Sequence, residues 1–517
     1  MFNIIIIKTT SPGTVWPVVT KYIGNHWNSN QVKIKSDEEA SEFLLIGGFH
    51  MSDIITDIII KAAEKARMET SNEPEPKVVG SAEWPIKCTV GPGLEGAIAC
   101  ESKVGYVNGS KGWLIYRGYD IFDLCAHSNF EEVTYLLLHG DLPSKKQFEE
   151  YNSKLLKYRH LNKSLRLLVG FPVEKMSAMA ALRLGTNMMR QEFTFLDAEE
   201  DAPFKGEAIA SDDDSIAMET QPLGGKNATY EFRLGRRLKS FKRSKKKVET
   251  RIDDGSNIDT CYHLISGVAT ITAAISRLHQ GRIPLEPDSK LSHAGNLLYM
   301  MTGEKPDPIA ERIMDVALIL HADHGMNAST FASMVVASTL SDFYFSVGAG
   351  IGALNGPLHG GANEEVIKLL REIGSPANVE PWVAKALAAK KKITGFGHRV
   401  YKAYDPRARI LEPLAEYLAG EYPGVKNEFL TAKKLEEEVL EKMGRERKIF
   451  PNVDFYSGIV YSALGIRSEM FTPVFAVSRV SGWAARVLEY QQNNRIFRPR
   501  ALYTGDFNKE YIPPYKR

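Results

Sequence analysis

Apolar residues spaced at a helical period, in segments bounded by capping residues, recur through most of the chain beyond residue 91 and leave little room for a sheet-based fold. In "SNFEEVTYLLLHGDLP", Ser128 and Glu131 stand at capping-box spacing, Val133, Leu136 and Leu137 share one face, and Gly140 ends the segment before Pro143. In "DPIAERIMDVALILHADH", Asp307 is placed to cap, Pro308 fills the first helical position, and Ile309, Ile313, Val316 and Leu320 recur on one side. "RILEPLAEYLAG" and "RVSGWAARVLEYQQ" repeat the pattern. One stretch departs from it. "KVGYVNGSKGWLIYRG" has two β-prone runs around Asn108 and Gly109, turn residues that tolerate positive φ, and predicts a β-hairpin. The reading is an all-α body with one small hairpin near its start.

Two segments stand apart from this body. Residues 1–90 read as an N-terminal extension: a strand, a short helix around "DIITDIIIKAAEKARM", then the polar, proline-containing "ETSNEPEPKVVGSAEWP". Met51 is a second position at which translation could begin. Residues 193–257 read as a charged, disordered insertion, acidic over 197–219 and basic over 233–251, with little periodic apolar content. The basic run has the make-up of a nucleic-acid or localisation patch but is better read as a solvated loop paired loosely with the acidic run, and the formal net charge of only +2 gives no reason to expect a polyanion as the main partner. The cysteines Cys88, Cys100, Cys125 and Cys261 show no C-x-x-C spacing, which argues against a zinc site or a disulfide framework and suits a reducing cytoplasm. The apolar run Ile4 to Ile7 is too short for a signal core, and no stretch is read as the roughly 20 apolar residues of a membrane helix. No nucleic-acid or membrane partner is expected.

Three histidines sit in surroundings that suggest chemistry: His324 in "HADHGMNAST", His359 in "GPLHGGANEEV" and His398 in "GFGHRVYKAYDPRAR". Each is flanked by Gly or Asn, which let backbone or ligand approach closely. Arg407 follows the third by nine residues, so an anionic substrate is suggested. Taken singly, His359 reads as a helix-terminal histidine satisfied by backbone, His398 is undecided, and Asp454 in "FPNVDFYSG" reads as a turn or capping carboxylate. His321 and His324 have a spacing that could hold a metal, but no third ligand lies nearby and no metal is expected. "GAGIGALNG", with no strand before it, is read as small residues for close helix packing rather than a dinucleotide loop. With no P-loop either, neither ATP nor NAD is implied.

In order, "GLEGAIACESKVGYVNG", "HADHGMNASTF", "GPLHGGANE", "GFGHRVYKAYDPR", "PNVDFYSG" and "FAVSRVSGWAA" together resemble the citrate synthase family, from about Gly91 to the C-terminus outside 193–257. The resemblance implies a two-domain all-α fold. Its large domain would comprise 91–192, 258–360 and 467–517, with a small domain at 361–466 and a cleft that closes on substrate. It implies a catalytic trio of His359, His398 and Asp454. Oxaloacetate would be bound by His324, Arg407, Arg479 and, from a neighbouring subunit, Arg498, which makes the enzyme a homodimer or higher homo-oligomer. Coenzyme A would lie against Lys392, Ile393, Thr394, Gly395 and Gly397, with Lys402 near its phosphates. The thioester would be a substrate, with no tightly bound cofactor. In the familiar form of the first histidine motif an acidic residue follows the second histidine, where this chain has Gly325.

The implied reaction condenses acetyl-CoA with oxaloacetate and water to citrate and CoA. A thioester methyl is a very weak acid, so a carboxylate removes its proton only if a donor meets the charge growing on the carbonyl oxygen. A histidine at a helix N-terminus is held neutral by the backbone N–H dipoles and can be that donor, with the glycines beside His359 clearing room for the thioester. Asp454 would be the base, its pKa responding to partial burial, and His398 would polarise the ketone. Two substrate carboxylates suit the fork geometry of arginine. A 2-methylcitrate synthase using propionyl-CoA and a non-catalytic scaffold that binds partners through the charged insertion are the alternatives. A lyase running the chemistry backwards is disfavoured because no nucleotide-binding or CoA-ligase module accompanies the motifs.

Overall fold

The computed structural model describes residues 3–6, 18–23, 26–31, 54–74, 84, 86–190, 254–444, 448–501, 503–506 and 509–514. The charged segment predicted as a disordered insertion therefore lies outside the described residues, apart from its last few, where a helix has already begun.

The described elements are mostly helices, as predicted. Strands β1 (Asn3–Ile6), β2 (Val18–Ile23) and β3 (His26–Gln31) form one antiparallel sheet in sequence order. Helix α1 covers 54–69, where the short helix was predicted. After β4 (Gly105–Asn108), β5 (Trp113–Tyr116) and the two-residue β6 (Tyr119–Asp120) come α2 (Ile121–His127), α3 (Phe130–His139), α4 (Lys145–Tyr158), α5 (Asn162–Val169) and α6 (Ala178–Met188). Then follow α7 (Asp254–Leu278), α8 (His293–Thr302), α9 (Pro308–His321), α10 (Ala328–Ser338), α11 (Phe343–Leu354) and α12 (Ala362–Ile373). The chain closes with α13 (Val379–Ala388), α14 (Pro406–Glu421), α15 (Lys426–Val439), α16 (Val453–Ala463) and α17 (Phe471–Gln491).

The predicted hairpin exists, but its turn works differently. Asn108 pairs with Trp113, leaving four residues between the strands, and the positive φ falls on Gly112 rather than Gly109. The Asn108 side chain organises the loop, its Oδ1 accepting from the N–H groups of Ser110 (3.2 Å) and Lys111 (3.0 Å). Gly109 answers a different need, because a Cβ there would lie 2.0 Å from the carbonyl oxygen of Val400. The hairpin tip thus rests directly on the segment after His398, and the Gly109 carbonyl accepts from Lys402 N–H at 2.8 Å.

Capping follows the sequence in one predicted helix and is displaced by one residue in the other. Asp307 accepts from the N–H groups of Ile309 and Ala310 (2.9 Å each), with Pro308 in the first turn of α9. Asn129, not Ser128, caps α3, its side chain accepting from Glu132 N–H at 2.9 Å. Ser128 is already occupied in ending α2, where its N–H donates to Leu124. Glu131, read as half of a capping box, is instead buried and accepts from His293 N–H at 2.6 Å.

Two helices organise the core. Nearly every residue of α17 from Phe471 to Val487 is buried, so it is enclosed on all sides, packing against α3, α7, α9, α10 and α11. The segment Asn257–Leu278 of α7 is long and apolar enough to cross a membrane, which the sequence reading missed, yet 83% of its most apolar window is buried inside the protein. Its apolarity serves the interior. Within α11, the small residues of "GAGIGALNG" permit close packing: a Cβ on Gly350 would lie 2.3 Å from Ser333 Oγ and 2.9 Å from the ring of Trp483.

Candidate active site

Three chain segments and one helix converge here. The first is the turn between α9 and α10. Asp323 is fully buried and pairs bidentately with Arg486 of α17, from Nε (2.8 Å) and Nη2 (2.7 Å), which fixes the turn against the core helix. His324, the next residue, is buried with Nε2 3.1 Å from the hydroxyl of Tyr401. Burial, reinforced by the Arg407 charge, pulls its pKa well below the usual imidazole value. His321, one turn away, donates from Nδ1 to the Ala317 carbonyl at 2.7 Å. Among the described residues no group of three or more His, Cys, Asp or Glu is placed to hold a metal ion.

His359 lies two residues before the cap of α12, but its own helix is not what holds its ring. Nε2 accepts the backbone N–H of Ser329 at 3.3 Å, in the first turn of α10, and lies 2.8 Å from the Ser329 hydroxyl. The helix N-terminus that meets the ring belongs to a neighbouring helix, α10, which the sequence could not identify. Because Nε2 takes an N–H, the neutral ring carries its proton on Nδ1. Burial, with the Arg479 charge second, lowers the pKa to about 4. The flanking glycines divide their work: a Cβ on Gly360 would strike the Leu354 carbonyl at 2.3 Å, whereas Gly361 faces open space. Only Gly361 fits the predicted role of making room.

The third segment pairs two stretches of chain. Gly397 N–H donates to the Phe450 carbonyl (2.8 Å), Asn452 N–H to the Gly395 carbonyl (2.9 Å), and the Asn452 amide to the Gly397 carbonyl (3.1 Å). This short pairing sets His398 beside the start of α16. His398 Nδ1 accepts from the N–H groups of Val400 (2.9 Å) and Tyr401 (3.2 Å), which leaves the proton of the neutral ring on Nε2. Burial lowers its pKa to about 4, with Asp405 opposing and Arg407 adding to the shift. Its ring centroid lies 5.2 Å from that of His324 and 4.9 Å from that of Tyr401.

Asp405 ties this segment to the base candidate. It caps α14 through Arg407 N–H (3.0 Å), and its carboxylate grips the Arg407 guanidinium at Nε (3.0 Å) and Nη2 (2.7 Å). Its Oδ2 also accepts Val453 N–H at 3.3 Å, immediately before Asp454. Asp454 stands in the first turn of α16, its N–H donating to the Asn452 side chain at 3.1 Å. Burial raises the Asp454 pKa to about 7 against the pull of Arg407, with Asp405 also raising it and Arg479 lowering it. Arg479, on α17, is buried; Nε donates to the His321 carbonyl at 2.6 Å, while Nη2 has no acceptor among the described residues. Burial pulls its pKa down to about 10. Its charge is felt at His324, His359 and Asp454, and that of Arg407 at His324, His398 and Asp454. The six groups therefore share one electrostatic environment.

Arg498 is exposed on the segment after α17, where its one hydrogen bond among the described residues is a 3.5 Å contact to the adjacent Pro499 carbonyl. Among the suggested coenzyme A contacts, Lys392 and Lys402 are exposed and Thr394 and Gly397 half-buried. Ile393 and Gly395 are buried.

Residues 93–500 match the family model for the citrate synthase C-terminal domain. The chain belongs to the citrate synthase family. It is 38% identical to citrate synthase of Synechocystis over 432 residues, which span 82% of this chain and 93% of that one. It is 39% identical to citrate synthase 2 of Bacillus subtilis, spanning 82% and 98%. The crystal structure of citrate synthase from Pyrobaculum aerophilum aligns with a TM-score of 0.68 at 37% identity, covering 85% of this chain and all of that one. The enzyme from Thermoplasma acidophilum, solved as a ternary complex with carboxymethyl coenzyme A and oxaloacetate, aligns with a TM-score of 0.67 at 31% identity, covering 83% and 100%. The chain is an enzyme, an acyltransferase of citrate synthase type, which removes the scaffold reading.

Sequence reasoning missed Ser329, Asp405 and Asn452. For Asp405 a signal was present, since an Asp before a Pro at a helix start is the same cap already read at Asp307. Asn452, in an Asn-x-Asp setting before an apolar helix, is a comparable cap. Ser329 had none, because only tertiary packing brings it to His359.

Proposed function

We propose that this enzyme condenses acetyl-CoA with oxaloacetate and water, releasing citrate and CoA and so opening a tricarboxylic acid cycle. The observation that carries the reading is the pair of neutral imidazoles whose free N–H groups are fixed by backbone donors, beside a half-buried carboxylate whose desolvation raises its pKa to about 7. Asp454 takes a methyl proton from the thioester. His359 donates from Nδ1 to the developing enolate oxygen, which needs a donor that is neutral and already oriented. His398 donates from Nε2 to the ketone oxygen of oxaloacetate and makes that carbon electrophilic. The new carbon–carbon bond gives the citryl thioester, and water cleaves it to citrate and CoA.

His324, Arg407 and Arg479 bind the oxaloacetate carboxylates, Arg479 through its unsatisfied Nη2. Arg498, exposed in its own chain, serves the site of a second subunit in a homodimer, and the exposed Phe345 and Leu358 beside α11 suit such an interface. Residues 361–466 act as the small domain over a cleft that closes on substrate, with Lys392, Thr394, Gly397 and Lys402 toward coenzyme A and no tightly bound cofactor. The free cysteines suit a cytoplasmic enzyme.

The measurement that tests the reading follows CoA thiol release from purified protein given oxaloacetate with either acetyl-CoA or propionyl-CoA. Faster turnover of acetyl-CoA is expected. One methylene in an apolar pocket is worth about 1–3 kcal/mol, so propionyl-CoA is turned over more slowly rather than refused. A faster rate with propionyl-CoA would make the enzyme a 2-methylcitrate synthase.

A further inference from the structure

Helix α1 lies upstream of the residues that match the family model, yet it is built into the same body. Ile55, Ile59, Ala62 and Ala63 bury one face in the common hydrophobic core. Near its start, Thr56 Oγ1 donates to the Ala126 carbonyl of α2 at 3.0 Å. Near its end, Arg67 faces Asp123 of α2 at 3.7 Å, and Glu69 pairs with Arg409 of α14. The helix therefore spans from α2 to the first turn of the helix that carries Arg407.

Arg409 is an unusual cation to leave to a single partner. Its side chain is 7% exposed, its guanidinium lies 3.9 Å from the ring centroid of Tyr404, and Glu69 supplies its one carboxylate among the described residues. Residues two apart on a helix face different ways, so Arg407 turns toward the site while Arg409 turns toward α1. The Arg409 N–H donates to the Asp405 carbonyl at 3.0 Å, and the Asp405 side chain grips Arg407 in turn. A buried guanidinium that loses its carboxylate must move toward water or draw in another group. Here either movement displaces the turn that presents Arg407.

We infer that α1 is a strap holding the first turn of α14 against α2, and that Glu69 is a positioning residue for Arg407, acting through Arg409. The inference rests on the proposed role of Arg407 in binding oxaloacetate. Its mark is a selective loss: the anchor shifts while the base and the two imidazoles stay in place.

The test uses full-length Glu69→Gln, nearly isosteric and partly exposed. The KM for oxaloacetate should rise about fivefold, with kcat within about twofold and the KM for acetyl-CoA unchanged. Glu69→Asp should recover part of the loss. The double variant E69Q/R409Q should be no worse than R409Q alone, because the two residues act as one unit. A folded E69Q enzyme, matched to wild type in circular dichroism and thermal midpoint, with unchanged oxaloacetate KM would overturn the strap. So would a loss that lowers kcat and affects both substrates equally. Calorimetric titration of oxaloacetate separates the two layers: binding by wild type that E69Q retains in full removes only the strap, whereas no binding by wild type removes the role of Arg407 and the strap together.

Discussion

The two imidazoles of the site reach the same chemical state by different routes. His398 is held by the next turn of its own loop, whose two N–H groups fill Nδ1. His359 is held from outside, by the first turn of α10, thirty residues earlier in the chain. Burial is the main reason that both rings are neutral at physiological pH. The proton ends up on opposite nitrogens, however, because each ring accepts backbone N–H groups with a different atom. Local backbone thus makes one donor, and tertiary packing makes the other. The first should survive most substitutions outside its loop, while the second depends on how α10 and α12 sit together.

The largest effect should spare neither route. Asp454→Asn removes the proposed base and should cut kcat by a factor on the order of 100 or more in a thiol-release assay, with both histidines intact. Near-normal turnover would remove the base assignment. Arg407→Lys comes next: lysine cannot reproduce the bidentate pair with Asp405, and kcat/KM for oxaloacetate should fall about 30-fold. Retained affinity in a direct binding measurement would argue against a guanidinium anchor.

The pH profile then separates the proposed base from the two proposed donors. The folded Asp454 pKa of about 7 means that kcat/KM should drop about tenfold for each pH unit below 7, while the histidines, near 4, stay neutral over that range. The linkage runs the other way. A carboxyl whose pKa is raised on folding favours the folded state while protonated, and that contribution is lost as pH rises through the folded value. Asp454→Asn should therefore raise the thermal midpoint relative to wild type more at pH 8 than at pH 5. A profile flat from pH 5 to 8 would show that the carboxyl titrates elsewhere.

Two milder variants address the contrast between the rings directly. Asn452→Ala unties the pairing between Gly397 and α16 and should cost about tenfold in kcat, acting on the His398 side. Ser329→Ala removes only the hydroxyl near His359, and the backbone N–H that sets the tautomer remains. A loss of about threefold or less is expected. If S329A proved as damaging as N452A, the hydroxyl rather than the backbone would be setting the His359 proton.

The sequence made the helical body legible because its periodicity and its Asp-Pro and Gly boundaries are local signals, as α9 shows with its cap at Asp307. Taken singly, His359, His398 and Asp454 are not marked as catalytic; they become candidates only through the ordered motifs that resemble the citrate synthase family. What stayed hidden was set by packing between distant segments. The cap of α3 shifted by one residue because Ser128 was already ending α2. The Asn108–Gly109 stretch read as a tight turn, whereas Gly109 answers to the carbonyl of Val400, nearly three hundred residues away. No local pattern announces Ser329 as the partner of His359, nor the contact between Glu69 and Arg409.

The carboxylate of Asp405 has wider reach than its capping role suggests. One oxygen, Oδ2, serves both the guanidinium of Arg407, the proposed substrate anchor, and the amide that precedes Asp454, the proposed proton acceptor. In the proposed mechanism, affinity for the dicarboxylate and strength of the base are therefore coupled at Asp405 itself. A substitution of that carboxylate would be felt at both, unlike a change that reaches Arg407 from outside, which narrows the paths by which this site could adapt to a new acceptor.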